Sequence, residues 1–567
     1  MFNRLTCITL TPPHNVTSKK WYRRRRYWSL AVLAILVYFC LIPSPLRVSS
    51  ETTGFTEPLL PNGDVDYFGA YERMYIHKLS PPEDNGQRLL IAALGPKSLE
   101  QYSIATTVPW EQIPTDERSK RWFETQWVPL CEHMYIDPYE KPRFLDVPDF
   151  YTYMEKEWEV GKEDSELGKK IIELQQQLAT AIWTAEDHPE VVRWLEERSP
   201  LLDLFGVAVR KPNFVCYRWR PDSEGLYAIL LPEVQSNREF GRDLRIRVTE
   251  RLGRGDVDGA WYDVMSMFYL SRKHYIHDPI LVVNLVGLAI EGMGYESAKL
   301  ILQHENLTPE QLERFAHDLD SLPRKTAVLS EFELFTPYPG LQLVQKTGDI
   351  FGGECCRSEP ITDLTTFFLH IFGGDDRNAI PRYLTYLPLD RNIAGKRVTE
   401  FLQTDMLMFG TSVWNVNSRT MKKYLENFDR RAVEKDNQLK NPLRLWRVPL
   451  IRTRSELFAD YVIALLAPAV SGAQHAIDRA NTRLELLRLS IALERYKLAN
   501  GEYPETLDAL IPKYLLEVPL EPLTGRQSFV YVRSPDAETS FLLHSAKWKE
   551  DDGLTKDLFV RFSRLTQ

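Results

Sequence analysis

The stretch "LLAPAVSGAQHAIDRANTRLELLRLSIALERYKLANGEYPETLDAL", residues 465–510, decides how the C-terminal end of the chain folds. Its apolar residues recur at helical spacing. The stripe comprises Leu484, Leu487, Ile491 and Leu498, and is widened by Leu486, Leu489, Leu493 and Tyr496. Such spacing predicts a long helix that buries a broad face. The pair Asn500-Gly501 is typical of a helix C-cap, and Pro504 prevents the helix from continuing.

The residues after this helix predict a short helix and a small sheet. "ETLDALI", residues 505–511, has helical character and is ended by Pro512. "SFVYV", residues 528–532, and "SFLLHS", residues 540–545, alternate as strands of a hairpin. An exposed apolar helix stripe would favour aggregation. We therefore expect the two strands to pack on it, and expect residues 456–567 to form one α+β module.

The order of long helix, "NGEYP", short helix, "VPLEPLTG" and aromatic strand resembles the globular end of type IV pilin-like proteins. It is most similar to the major pseudopilins of type II secretion. That resemblance implies a calcium site in a C-terminal acidic loop, for which Asp551, Asp552 and Glu521 are the candidate ligands. Three carboxylates leave most of the 6–8 oxygens that calcium requires to backbone and water. Residues 444–462 lack a pilin cleavage site and apolar segment, so we expect no polymerisation.

The N-terminal residues predict a membrane anchor. A dense basic run between Lys19 and Arg26 precedes an uncharged apolar segment that begins at Tyr27. Residues 27–46 are long enough to cross a bilayer, and the basic run favours a cytoplasmic N-terminus. We predict a tail over 1–26, an anchor over 27–46 and a linker over 47–64. A cleaved secretion signal or a buried core helix are the alternatives.

Residues 65–455 carry mostly helical patterns, with few strand signals. Thr308 and Gln311 form the pattern of a capping box around Pro309. "GDVDGAW", residues 255–261, resembles the turn of a tetratricopeptide-like helical hairpin. The predicted fold is mainly α: an N-terminal transmembrane helix, an irregular bundle or short solenoid of hairpins, and the C-terminal α+β module. This layout is similar to that of a group of uncharacterised bacterial single-pass membrane proteins.

Candidate chemistry is sparse in the sequence, and no catalytic residue is predicted. A metal site is conceivable at His274, His277 and Asp278. Polar residues are common at helix junctions, however, and this is the favoured interpretation. The segment that contains Asp256 and Asp258 resembles the start of a calcium-binding loop, but it lacks the remaining ligands. A hairpin turn is therefore the favoured interpretation. The vicinal pair Cys355-Cys356 could be redox-active or without function.

Composition and motifs leave two classes of function open. The net charge of −8 argues against a general nucleic-acid binder, and no nucleotide-binding or hydrolase motif occurs. The first hypothesis is an envelope scaffold in the bacterial inner membrane, with its bulk in the periplasm and a protein partner. The second is an exported hydrolase of envelope polymer, which requires a deep pocket with paired acids.

Overall fold

The protein is mainly helical in the parts that the computed structural model describes. These are residues 27–29, 32, 45–75, 79, 81–95, 117–158, 165–218, 231–275, 278, 280–304, 307–323, 338–347, 389–401, 451–523, 527–533, 540–546 and 559–563. Most of the predicted anchor, 27–46, lies outside them. Among the helices of these ranges, none has the length and hydropathy needed to cross a bilayer.

The N-terminal helices build an aromatic core together with later segments. The helices are α1 (Tyr67–Tyr75), α2 (Gly86–Leu94), α3 (Glu117–Trp122) and α4 (Val128–Met134), with a π-helical turn, Phe123–Trp127, between the last two. Trp127 and Tyr67 are fully buried and belong to the same cluster as Phe458. The Asn85 side chain caps α2, and the helix ends at Gly95, which has φ +65°.

The next helices form a layer in which long helices pack side by side. They are α5 (Phe150–Glu157), α6 (Ser165–Leu178), α7 (Pro189–Ala208) and α8 (Pro232–Gly253). Helix α5 packs on α6, α6 packs on α8, and α7 packs on both α2 and α8. Gly86 of α2 is required where α2 meets α7, because a Cβ there would lie 2.0 Å from the Ala208 carbonyl oxygen.

Helical hairpins continue the layer. They involve α9 (Val257–Tyr269), a π-helical turn (Leu270–His274), α10 (Leu281–Leu302) and α11 (Pro309–Ser321). Helix α9 packs on α8 and α10, and the turn before α9 contains Gly255 with φ +80°. The predicted capping box is confirmed, because Thr308 and Gln311 exchange side chain to backbone hydrogen bonds.

A helix of 50 residues dominates the C-terminal part. After α12 (Tyr338–Thr347) and α13 (Arg391–Glu400) comes α14 (Ile451–Asn500), which at 1.5 Å per residue is about 75 Å long. Helix α14 packs on α13 and α12 near its start, and on α10 and α11 farther along. Its end is confirmed at Gly501, which has φ +87°.

A small antiparallel sheet follows and packs on the end of α14. Its order is β1 (Val530–Arg533), β2 (Ser540–His544) and β3 (Phe559–Ser563). Val530 pairs with His544, and Ser540 pairs with Ser563. Phe541 and Leu543 of β2 are buried in one cluster with Leu487 and Ile491 of α14, so the predicted burial of the stripe is confirmed.

Some details of the C-terminal prediction were wrong. The short second helix is a single 3₁₀ turn, Leu507–Leu510, because Thr506 and Ile511 on either side are extended. Leu498 is 41% exposed, since it lies beyond the covered part of the stripe. Strand β3 was not predicted, and α10 and α11 share the cover of the stripe with the sheet. Helix α14 begins at Ile451, so the predicted boundary at 455/456 falls inside it.

Candidate functional site

Glu521 lies in a turn that the protein's own donors complete. Its carboxylate is buried and accepts a hydrogen bond from the Ser545 hydroxyl at one oxygen. The other oxygen accepts from the Ala546 N–H at 3.0 Å. Both oxygens of this carboxylate therefore have a protein donor, and the bonds tie residue 521 to the segment that follows β2. Asp551 and Asp552 lie outside the described residues, so their part in a calcium site stays a prediction.

His274 and Asp278 do not converge on a common site. The Nε2 atom of His274 lies 2.8 Å from the carbonyl oxygen of Val209. Asp278 instead accepts two hydrogen bonds from buried Arg218, at 3.2 and 2.7 Å. His277 lies outside the described residues, as do Cys355 and Cys356. In the described part of the chain, no group of three or more His, Cys, Asp or Glu is placed to hold a metal ion.

Asp256 and Asp258 belong to the hairpin turn, as predicted. The Asp256 carboxylate accepts a hydrogen bond from the Gly259 N–H at 2.9 Å and so caps α9. Asp258 accepts hydrogen bonds from Arg314 and, at 3.0 Å, from the Gln311 amide. Both carboxylates therefore stabilise helix ends and the contact between α9 and α11.

The described residues form a polar groove of about 480 Å³. We call it the α5–α6–α8 groove. Its walls come from the start of α5, one face of α6 and one face of α8, with Met293 of α10 at one side. This volume lies within the range of about 300–1,000 Å³ that is typical of small-molecule sites, although its lining is more polar than usual.

The wall from α5 is fixed by a helix cap. The carboxylate of Asp149 accepts hydrogen bonds from the Thr152 N–H at 2.9 Å and from the Thr152 hydroxyl at 2.8 Å. The Tyr151 hydroxyl reaches α6 at Gly168, where an added Cβ would lie 2.9 Å from it. Tyr151 is 36% exposed, and so presents part of its ring to the groove.

The wall from α8 carries charges of both signs. Arg242 and Glu239 form an ion pair one turn apart. Arg245 donates a long hydrogen bond of 3.4 Å to the Ala179 carbonyl oxygen at the end of α6. Its Nε atom is buried and has no partner among the described residues. Burial lowers the pKa of Arg245, because the charged guanidinium loses hydration.

A buried ion pair lies beneath this wall. Asp243 is fully buried, and one of its oxygens accepts a hydrogen bond from the Arg198 Nε at 2.9 Å. The other oxygen has no partner within the described residues. The pKa of Asp243 is raised to about 7, chiefly by burial; the Arg198 guanidinium opposes the rise, and the nearby Asp149 and Glu239 carboxylates add to it. The wall of the groove therefore covers a carboxyl group whose pKa is raised.

Sequence reasoning missed this site for a physical reason. Asp149, Gln176 and Asp243 lie on three separate helices, and nothing in their spacing shows that the helices meet. The only local signal is the pair Glu239 and Asp243, which are four residues apart on α8 and so share a face. A solvated helix surface gives the same pattern.

No protein-family model, no curated protein and no solved structure matches this chain.

Proposed function

We propose that the protein is a membrane-anchored scaffold or interaction protein of the bacterial envelope. In this proposal residues 27–46 cross the inner membrane, the N-terminus is cytoplasmic and the bulk of the chain is periplasmic. Tetratricopeptide-like hairpins supply a rigid body, and the C-terminal pilin-like module docks a protein partner of secretion or pilus-like machinery. The observation that carries the proposal is that one helix, α14, joins these two parts.

The joint is held by a buried charged network. Arg272, in the π-helical turn after α9, donates to a Glu291 carboxylate oxygen of α10 at 3.0 Å. The same guanidinium donates to the Asn481 side chain and to the Ala480 carbonyl oxygen of α14, both at 3.2 Å. Arg272 is fully buried, so sliding α14 along the layer would strand a charge away from water. A rigid joint of this kind suits a scaffold that must hold two surfaces at a fixed spacing.

Further buried arginines fasten the helical layer itself. Arg247 of α8 donates to Asp263 of α9 at 2.9 and 2.6 Å. Arg218 donates to Asp278 and also to the hydroxyl of Tyr71 on α1. The first pair joins two consecutive helices, and the Arg218 bonds join elements 60 and 147 residues apart in sequence. They restrict relative motion of the helices, which supports a structural role.

The proposal is tested by crosslinking in intact membranes. An affinity tag after Gln567 allows the chain and its crosslinked neighbours to be recovered and identified by mass spectrometry. We expect one envelope protein to be enriched with crosslinkers of different chemistry. A tagged periplasmic protein of unrelated fold is the control. Failure to enrich any partner above that control, under several crosslinking conditions, would contradict the scaffold proposal.

The predicted topology is tested separately by fusing a reporter after Gln567 that is active only outside the cytoplasm. We expect an active fusion. A stable fusion protein without reporter activity would overturn the orientation. This outcome would leave the partner experiment to be judged on its own.

A hydrolase of envelope polymer is the second candidate, and the α5–α6–α8 groove favours it. The carboxylates of Glu239 and Asp149 line the groove, so two acidic groups lie on one concave surface where a polymer could bind. The test is the hydrolysis of purified cell-wall polymer by the wild-type chain and by Glu239→Gln. Hydrolysis lost in the variant supports this candidate, and absence of hydrolysis in the wild type excludes it.

A further inference from the structure

The charges that line the α5–α6–α8 groove balance one another. Asp149 and Glu239 are acidic, and Arg242 and Arg245 are basic. Asp243 and Arg198 beneath the wall form a further matched pair. A phosphate group or an acidic polymer would approach two carboxylates, so such ligands are disfavoured. The balance favours a ligand that is polar and carries no net charge.

The walls of the groove exclude the common modes of peptide binding. All three walls are helical, so the groove offers no strand edge to which an extended peptide could add. An amphipathic helix requires a groove lined by apolar side chains. Here the apolar lining is limited to Ile172, Ala179 and Met293, apart from the ring of Tyr151.

The polar atoms of the groove match the hydrogen-bonding capacity of hydroxyl groups. Gln175 and Gln176 on α6 each offer an amide that can donate and accept. Arg245 offers only donors, and its buried Nε lacks an acceptor among the described residues. A hydroxyl group both donates and accepts, so a ligand with several adjacent hydroxyls can satisfy amides, carboxylates and guanidinium together.

We propose that the α5–α6–α8 groove binds a short, neutral oligosaccharide. The Gln175 and Gln176 amides bind hydroxyl groups on one side of a sugar ring. The Arg245 guanidinium, which lines the groove, donates to a sugar oxygen through its terminal N–H groups. The partly exposed ring of Tyr151 packs against the apolar face of a sugar ring. This inference does not depend on whether the chain is a scaffold or a hydrolase.

The test is titration calorimetry of the full chain with chitotetraose and maltotetraose, in a detergent without a sugar headgroup. We expect at least one of these probes to bind. Gln176→Ala should weaken binding about five- to tenfold, because it removes a hydrogen bond to the ligand. Gln176 is exposed, so the substitution should leave folding intact, which circular dichroism checks.

Gln177→Ala is the matched control, because Gln177 is exposed on the same helix but does not line the groove. The control should bind the probe as the wild type does. Three results overturn the proposal: neither probe binds at millimolar concentration, Gln176→Ala binds as tightly as Gln177→Ala, or a neutral tetrapeptide competes for the groove as well as the sugars do.

Discussion

The joint between α14 and the helical layer yields the most demanding prediction. Arg272→Met removes the guanidinium that contacts Glu291, Asn481 and Ala480. It leaves a buried Glu291 carboxylate that still accepts a hydrogen bond from the Ser271 hydroxyl at 2.9 Å. Breaking one side of a buried ion pair costs about 3–5 kcal/mol. We expect the free energy of opening α14 near Ala480 to fall by this amount.

A double substitution separates the charge from the packing. In Arg272→Met/Glu291→Leu both charges are replaced by apolar side chains, so the stranded carboxylate is gone. Substituting a whole buried pair is often close to neutral, and we therefore expect the double variant to recover most of the loss. The Ser271 hydroxyl would lose its hydrogen bond to Glu291, at a residual cost of about 1–3 kcal/mol.

The assay is hydrogen exchange measured by mass spectrometry on peptides that cover residues 474–490. It reports the local opening of α14, and so avoids assuming that the whole chain unfolds in one step. Arg254→Met is the control, because the Arg254 side chain is 56% exposed and the loss of its pairs with Glu250 and Asp256 should change stability by only about 1 kcal/mol. The reasoning is refuted if Arg272→Met behaves like this control, or if the double variant is no more stable than the single one.

Three further substitutions test the caps, the core and the buried carboxyl group. Leu487→Ala should lower the free energy of unfolding by about 2–5 kcal/mol, whereas Leu498→Ala, at a position that is 41% exposed, should cost much less; urea denaturation distinguishes them. Thr308→Ala removes a capping box and should cost about 1 kcal/mol, measured in the same way. The pKa of Asp243 is raised from 3.8 to about 7, so the folded chain binds this proton more tightly than the unfolded chain and wild-type stability falls as the pH rises through that window. Asp243→Asn should remove that part of the decline in thermal midpoint; an unchanged profile would contradict the assignment.

Local signals explain how much of the fold could be predicted. Thr308 with Gln311, and Gly501 after Asn500, act through hydrogen bonds and backbone conformation within one turn, so the residues that decide the outcome are adjacent in sequence. The burial of Leu487 also follows from helical period alone. In each case the residues that determine the local structure can be identified from the sequence itself.

The parts that escaped prediction depend on contacts between distant segments. Arginine is usually a surface residue, and nothing near Arg272 in the sequence indicates that it is buried. It acquires its buried partners only where α10 and α14 approach it. The groove likewise arises where α5, α6 and α8 meet, and Gln176 has no local feature that marks it as lining. Strand β3 forms because it pairs with β2, and this pairing matters more than the intrinsic β-propensity of its residues.

The position of α14 near the end of the chain also affects how the protein folds during its synthesis. The same apolar cluster holds Ile290 and Phe315 from the middle of the chain and Leu487 and Leu493 from near its end. As synthesis proceeds from the N-terminus, α10 and α11 emerge well before the residues that cover them. Until α14 arrives, their apolar faces remain open to water and to other nascent chains, which is the state that chaperones recognise. Completion of this core therefore waits for the last part of the polypeptide, and a chain truncated before residue 484 lacks the α14 residues that complete it.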